Sequence, residues 1–249
     1  MTPDDLLELF DATAAAIARA LAGTTERRAR TDRPGQYALD VVADEAALGV
    51  LGRAPVAVVS EESGRSGPPD AAVTVVIDPV DGSTNCSRGI PYWGTSLCAV
   101  DADGPLAALV ANLATGVRTT AVRGEGTRRD GTEVSASGVH RVEDALVAVS
   151  GMPARALPWK QYRALGSVAL ALCDIAAGAV DGYVDGGDWH SPWDYLGGLL
   201  ACVEAGATVI DLGGRPLAVT DPGARRQLLV AATPELLEEL RPAARVVPR

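Results

Sequence analysis

The run Val75 to Asn85, VVIDPVDGSTN, constrains this chain more than any other stretch. It opens as an apolar, β-branched strand of the kind buried in a sheet and ends in Asp78, Pro79, Val80, Asp81, Gly82 and Ser83. In an extended chain Asp78 and Asp81 would point to opposite faces, but Pro79 fixes φ and breaks the strand, so a turn brings both carboxylates to one point. Two convergent carboxylates favour a hard cation, and the Val80 carbonyl, freed from the ladder by the same turn, offers a further oxygen ligand. Gly82 lets the backbone approach a ligand, and with Ser83 it presents N–H groups to a phosphate if a helical turn follows. Taken alone, the same residues also read as an Asp-Pro and Asp-Gly turn with solvated acids.

A second acidic group, Glu61 and Glu62, follows the β-like run Val56 to Val59, and its placement matches that of Asp78 if the two strands are neighbours. A third acid, Asp194 in Pro192-Trp193-Asp194, stands at a helix start, where an ordinary cap is the alternative reading.

The site implied by these acids is negative, and so is the whole chain: 22 Lys and Arg against 32 Asp and Glu give a net charge of -10. Nucleic acid and acidic membranes are repelled at long range, and an acidic pocket can hold phosphate only if metal ions invert its sign. Asp4, Asp5 and Glu8 occupy the start where a secretory leader would be basic, and no uncharged apolar stretch reaches about 18 residues, so a cytoplasmic protein is expected. Cys86, Cys98, Cys173 and Cys202 never form C-x-x-C and read as buried free thiols rather than zinc ligands or a disulfide scaffold.

Along the chain, apolar spacing from Pro3 to Leu21 predicts a first helix, Thr24 to Gln36 a flap-like loop, and Asp44 to Gly52 a second helix. Strands are expected at Val56–Val59, Val73–Ile77, Thr95–Val100, Leu106–Leu113 and Val117–Arg123, with hairpin turns at Asp103-Gly104 and Asp130-Gly131 and a loop at Ser63–Asp70. Helices at Leu165–Ala177 and Trp193–Ala205 alternate with strands at Gly182–Val184 and Thr208–Asp211. The expectation is an α/β protein, an α+β half over residues 1–145 that carries most of the metal ligands and an α/β half over 146–249 that completes the site, in one compact unit of 249 residues.

The order and spacing of Glu61-Glu62-Ser63, the DPVDGSTN motif and Trp193-Asp194 followed by Gly197-Gly198 and Glu204-Ala205-Gly206 resemble the signatures of the inositol monophosphatase family. Gly89-Ile90-Pro91, Gly124-Glu125-Gly126, Gly166-Ser167 and Asp181-Gly182-Tyr183 extend the likeness. The resemblance implies a layered αβαβα sandwich, commonly a homodimer, that hydrolyses a small phosphomonoester with two or three magnesium ions. It assigns Glu61, Asp78, the Val80 carbonyl, Asp81 and Asp194 as metal ligands. Ser83, assisted by an upstream aspartate, would position the attacking water; Asp44 matches that aspartate by position, with Asp40 as competitor. Phosphate contacts map to the Gly82 and Ser83 backbone, and polyol contacts to Gly166, Ser167, Asp185 and Asp194. An inositol-like polyol or sugar phosphate is the expected substrate, with histidinol phosphate, fructose bisphosphate and adenosine 3',5'-bisphosphate as rivals, and a catalytically silent regulator as the alternative from another class. The chain departs from the pattern at Arg33 to Asp44 and in the longer connection from Asp185 to Asp194, which carries Asp188, Trp189 and His190.

Overall fold

The structure is a computed structural model that describes residues 1–244. The first half runs α1 (Pro3–Ala22), α2 (Ala38–Leu51), β1 (Ala57–Ser60), β2 (Gly64–Ser66), β3 (Thr74–Asp81), α3 (Ser83–Arg88), β4 (Gly94–Asp101), β5 (Gly104–Asn112), β6 (Arg118–Val122), β7 (Gly126–Arg129) and β8 (Thr132–Val134). The second half runs β9 (Leu146–Ser150), β10 (Gln161–Arg163), α4 (Val168–Ala176), β11 (Gly182–Asp185), α5 (Pro192–Glu204), β12 (Thr208–Asp211), β13 (Leu228–Ala231) and α6 (Pro234–Leu240).

One sheet has the order β2-β1-β3-β4-β5-β6-β7-β8 and the other β10-β9-β11-β13-β12. The central strands of the first sheet are apolar on both faces because both faces are covered. Val75, Ile77, Leu97 and Leu109 pack under α1 and α2 with Leu6, Phe10 and Leu39. Their alternates Val76, Cys98 and Val110 pack on the other side with Leu172 of α4 and Leu196 of α5, and that layer also takes up Tyr183 and Val230 from the second sheet. The far face of the second sheet, with Val147, Val184 and Leu229, is covered by Leu236 and Leu240 of α6. The layers therefore alternate helix, sheet, helix, sheet, helix, as the resemblance implied.

Although α5 belongs to the second half of the chain, it lies directly on the first sheet: a Cβ on Gly197 would stand 2.7 Å from Ser96 Oγ and 3.0 Å from Val110. Some family-like motifs serve this architecture rather than any site. Glu204, at the end of α5, accepts from the Gly124 and Gly126 amides at 2.9 and 3.1 Å, and Asp181 accepts from Leu146 N at 2.7 Å. The four cysteines are buried and free. No helix among the described residues is long and apolar enough to cross a membrane.

Helix α1 starts where expected, closed by a capping box in which Thr2 N donates to Asp5 Oδ2 at 2.8 Å and Asp5 N to Thr2 Oγ1 at 3.2 Å. Helix α2 begins six residues earlier than the expected Asp44, at Ala38. Its first turn is held by the Tyr37 amide donating to Asp40 Oδ2 at 2.8 Å. Part of the expected 63–70 loop pairs with β1 as β2, with Ser60 opposite Gly64.

Candidate active site

Strands β1 and β3 are parallel, with Ser60 opposite Ile77, so the acids that follow each emerge at the same end of the sheet. Glu61 continues the ladder by donating its amide to the Ile77 carbonyl at 3.2 Å. Strand β3 is bent where it was expected to break. Its register against β4 shifts between Asp78 and Asp81, around Pro79, which has no N–H to give. Val80 N donates to Asp78 Oδ1 at 2.9 Å, and Thr95 Oγ1 donates to the Asp78 carbonyl at 3.0 Å, satisfying the irregular backbone. The bulge brings Asp78 and Asp81, three residues apart, to one cavity.

Asp194 arrives from the opposite half as the third residue of α5, where its Oδ2 accepts the Ser191 amide at 2.7 Å. Carboxylate oxygens of Glu61, Asp78 and Asp194 lie within 4.8 Å of one another. They line a cavity of about 280 Å³ together with Val80, Asp81, Gly82 and Ser83. Asp81 is held from the second half, its Oδ2 accepting Ser167 Oγ and Ala169 N, each at 2.7 Å. Gly82 has φ of 88°, and a Cβ there would lie 3.1 Å from the Gly166 and Tyr92 carbonyls, so this corner excludes a side chain. Helix α3 follows at once from Ser83, supplying the helical turn expected after Gly82.

The electrostatics of the cavity are dominated by its clustered acids. Burial pushes the Asp78 carboxyl well above the usual carboxylate range, with Glu61, Asp81 and Asp194 adding repulsion. Burial, then Asp194 and Glu62, pushes Glu61 up to about 8. Burial also pushes Asp81 up to about 6, outweighing the hydrogen bond from Ser167. Among the lining residues Arg33 is the sole cation, and its guanidinium lies 3.1 Å from Glu62. A divalent cation is the group that lets such carboxylates ionise together, and all-oxygen donors suit a hard ion.

Asp40, and not Asp44, stands in this cavity. Asp44 is buried one helical turn further on, its Oδ1 taking the Ser60 hydroxyl, so it fastens α2 to β1. Asp40 Oδ1 is buried without a hydrogen-bond partner, and burial raises this carboxyl to about 7. The early start of α2 explains the difference: placing the helix start at Asp44 put the wrong acid in the first turn, whereas Tyr37-x-x-Asp40 was the N-terminal signal. The expected flap does reach the site, since Arg33 to Gln36 form one wall, and Gln36 Nε2 donates to Glu62. Neither Gln36 nor Glu62 was singled out as a site residue.

Asp185, expected at the substrate, is not among the residues lining the acidic cavity. It is fully buried at the end of β11, with Oδ2 3.1 Å from His190 Nε2. The same nitrogen lies 2.8 Å from the Tyr183 hydroxyl, and His190 Nδ1 stands 3.5 Å from Asp194 Oδ2. Burial opposes charge on His190, but Asp185 and Asp194 outweigh it and raise the imidazole to about 9. Gly166 and Ser167 line a second cavity of about 260 Å³ that abuts the first through the Ser167–Asp81 hydrogen bond.

The model of the inositol monophosphatase family matches residues 13–248. This chain belongs to the inositol monophosphatase family. A "Fructose-1,6-bisphosphatase/inositol-1-monophosphatase" of Archaeoglobus fulgidus is 35% identical over 205 residues, covering 80% of this chain and 79% of that protein. A "Nus factor SuhB" of Pasteurella multocida is 30% identical over 224 residues, covering 81% and 79%. Among solved structures, a Pyrococcus horikoshii protein described as having similarities to inositol-1 monophosphatase superposes with a TM-score of 0.84 at 24% identity, covering 98% of each chain, which establishes the fold of this family member independently of its activity.

Proposed function

We propose that this family member is a magnesium-dependent hydrolase of a small phosphomonoester. The observation that carries the reading is the convergence of Glu61, Asp78 and Asp194 within 4.8 Å, beside Asp81 and the glycine corner. Glu61, Asp78, the Val80 carbonyl, Asp81 and Asp194 would hold the ions, two or three of them. When bound, the ions supply the positive charge that draws a phosphate dianion into this cavity and lower the proton affinity of water.

The chain's own residues do the rest. The Gly82 corner and the Ser83 amide at the start of α3 bind phosphate oxygens, and the absence of a side chain at Gly82 lets this turn pack against the Gly166 and Tyr92 carbonyls. Ser83 Oγ orients the attacking water, and Asp40, whose Oδ1 has no other partner, accepts from that hydroxyl or from the water. Ser167 and the Ala169 amide keep Asp81 turned into the cavity. A homodimer, as the family commonly forms, is part of the same reading.

Phosphate release from a panel of phosphomonoesters, with magnesium and then with chelator, tests the proposal. Turnover that stops with chelator and returns with magnesium is expected. Turnover that ignores the metal, or none on any substrate, overturns it. A relative carrying the name Nus factor keeps a second reading in view, in which the fold serves a regulatory partner. Asp78→Asn separates the two: loss of metal binding with an intact cellular phenotype supports the regulatory role.

A further inference from the structure

We infer that the second cavity receives the leaving group and that this group is uncharged and carries a planar aromatic face. The inference rests on the phosphatase reading of the acidic cavity. The two cavities meet at one hydrogen bond: Ser167, a wall of the second, donates at 2.7 Å to Asp81, a wall of the first. On this inference an ester held at the acidic corner directs its alcohol toward the neighbouring second cavity.

The apolar walls there are Ala148, Val149, Leu165, Val168, Ala171 and the Tyr183 ring; the side-chain hydroxyls of Ser167 and Ser150 are spent on Asp81 and Tyr183, and no charged side chain is among the lining residues. A distal phosphate would find no cation in these walls. A polyol would bury several hydroxyls against aliphatic surface and side-chain hydroxyls that already have partners, where an unpaired polar group is costly. The acids of the adjoining rim cannot serve it either, because both are committed within the protein. Asp185 faces His190 at 3.1 Å. Asp188 holds Arg215 through two contacts, Oδ1 to Nη2 at 2.7 Å and Oδ2 to Nη1 at 2.9 Å.

The same rim instead offers an aromatic surface. Trp189 is 49% exposed, which is unusual for so large an apolar side chain. Its ring rests on two glycines: a Cβ on Gly187 would stand 2.1 Å from Cζ3, and one on Gly151 would stand 2.9 Å from Cη2 and Cζ2. Gly151 is itself a wall of the second cavity, so Trp189 is anchored at that cavity's edge. Aliphatic walls with a pinned, half-exposed indole suit a ring system such as a nucleoside or a phenol, because stacking on an indole needs no charge.

The test compares kcat/KM with magnesium on phenyl phosphate and adenosine 2'-monophosphate against inositol 1-phosphate and fructose 1,6-bisphosphate, in the wild type, Trp189→Ala and Trp189→Phe. The expected result is a preference of tenfold or more for the aromatic esters, a fall of about tenfold in the aromatic-to-inositol ratio in Trp189→Ala, and recovery of most of that ratio in Trp189→Phe. A wild-type preference for inositol 1-phosphate or the bisphosphate, or a ratio that Trp189→Ala leaves unchanged, overturns the inference while the phosphatase reading stands. If no ester is hydrolysed, the phosphatase reading fails instead, and adenosine binding decides the cavity on its own. Saturable quenching of tryptophan fluorescence by adenosine, absent with inositol and weakened in Trp189→Ala, supports the aromatic pocket; no quenching in the wild type overturns it.

Discussion

The carboxylate corner and the rim beside it are built from the same residue types and differ in what faces them. At the corner Glu61, Asp78 and Asp194 converge with no cation between them, only Asp194 reaching the His190 imidazole at 3.5 Å, and burial with mutual repulsion drives Glu61 to about 8. At the rim every acid has found a partner: Asp185 lies on His190, and Asp188 and Asp211 share Arg215. Burial would raise Asp211, yet Arg215 holds it down at about 2. A sequence of acids could hold a metal ion only where the fold withholds internal cations from most of them, and Asp185, which reads as a site residue, is paired with His190 instead.

The strongest way to break this comparison is to remove one acid from the corner. Asp78→Asn is expected to lower kcat/KM by more than about 10²-fold. It should also abolish tight magnesium binding by calorimetry. The same substitution should raise the melting temperature of the metal-free protein, because it removes a buried acid from a repelling cluster. A metal-free melting temperature that falls instead would mean the corner is internally compensated, as the rim is.

Substitutions in the rim should do the reverse, costing stability first. Asp185→Asn leaves His190 buried without its carboxylate, and breaking such a pair is expected to cost about 3 kcal/mol in denaturant unfolding. Because His190 also stands against Asp194, magnesium affinity should weaken by roughly tenfold. If Asp185 touched substrate, KM would rise for every ester with stability unchanged.

The two acids of α2 sharpen the comparison within a single helix. Asp40→Asn is expected to lower kcat by about 10²-fold with little change in stability, as for a group that helps move a proton. Asp44→Asn should leave kcat nearly intact and cost about 1–2 kcal/mol, the value of a buried hydrogen bond to Ser60. The opposite pattern would restore Asp44 as the catalytic acid.

These two positions also show how much was legible in the sequence. The layered fold followed from the family resemblance, and the helices α1 and α5 and the meeting of Glu61, Asp78 and Asp194 could be read, because a strand ending in Asp-Pro-x-Asp-Gly needs few long-range facts. Choosing between Asp40 and Asp44 needed the start of α2, and Tyr37 is a poor advertisement for an N-cap, since its side chain makes no cap hydrogen bond and the capping signal comes from Asp40 alone. Strand β13, Leu228–Ala231, went unread because four buried apolar residues have no periodicity. The pairing of Asp185 with His190 went unread because His190 lies in the loop that departs from the family pattern, and only the fold brings the two together.

The pH dependence of stability is a gentler test of the same contrast. The folded-state values of Asp81, Asp40 and Glu61, about 6, about 7 and about 8, all lie above those of the unfolded chain. Between about pH 4 and 8 the folded, metal-free protein therefore binds more protons than the unfolded chain, and its stability falls as pH rises. Melting in chelator should thus be higher at pH 5 than at pH 8. Saturating magnesium should reverse the order, since ionised carboxylates bind it and protons compete. A metal-free melting temperature that is flat or rises over this range would show that the corner acids ionise as freely as exposed ones.

The smallest effect is expected where the flap meets the corner. Arg33 is the one cation among the lining residues, but it is half exposed and paired with Glu62 rather than with Glu61 or Asp78. Such a pair contributes about 0–1 kcal/mol, so Arg33→Ala should barely move the melting temperature. Its charge still faces an incoming phosphate, and removing it should raise KM a few-fold with kcat held, an effect that shrinks as salt is added. If Arg33→Ala instead lowered kcat by orders of magnitude, the guanidinium would belong to the reacting centre, and the corner would no longer be a site that withholds its own cations.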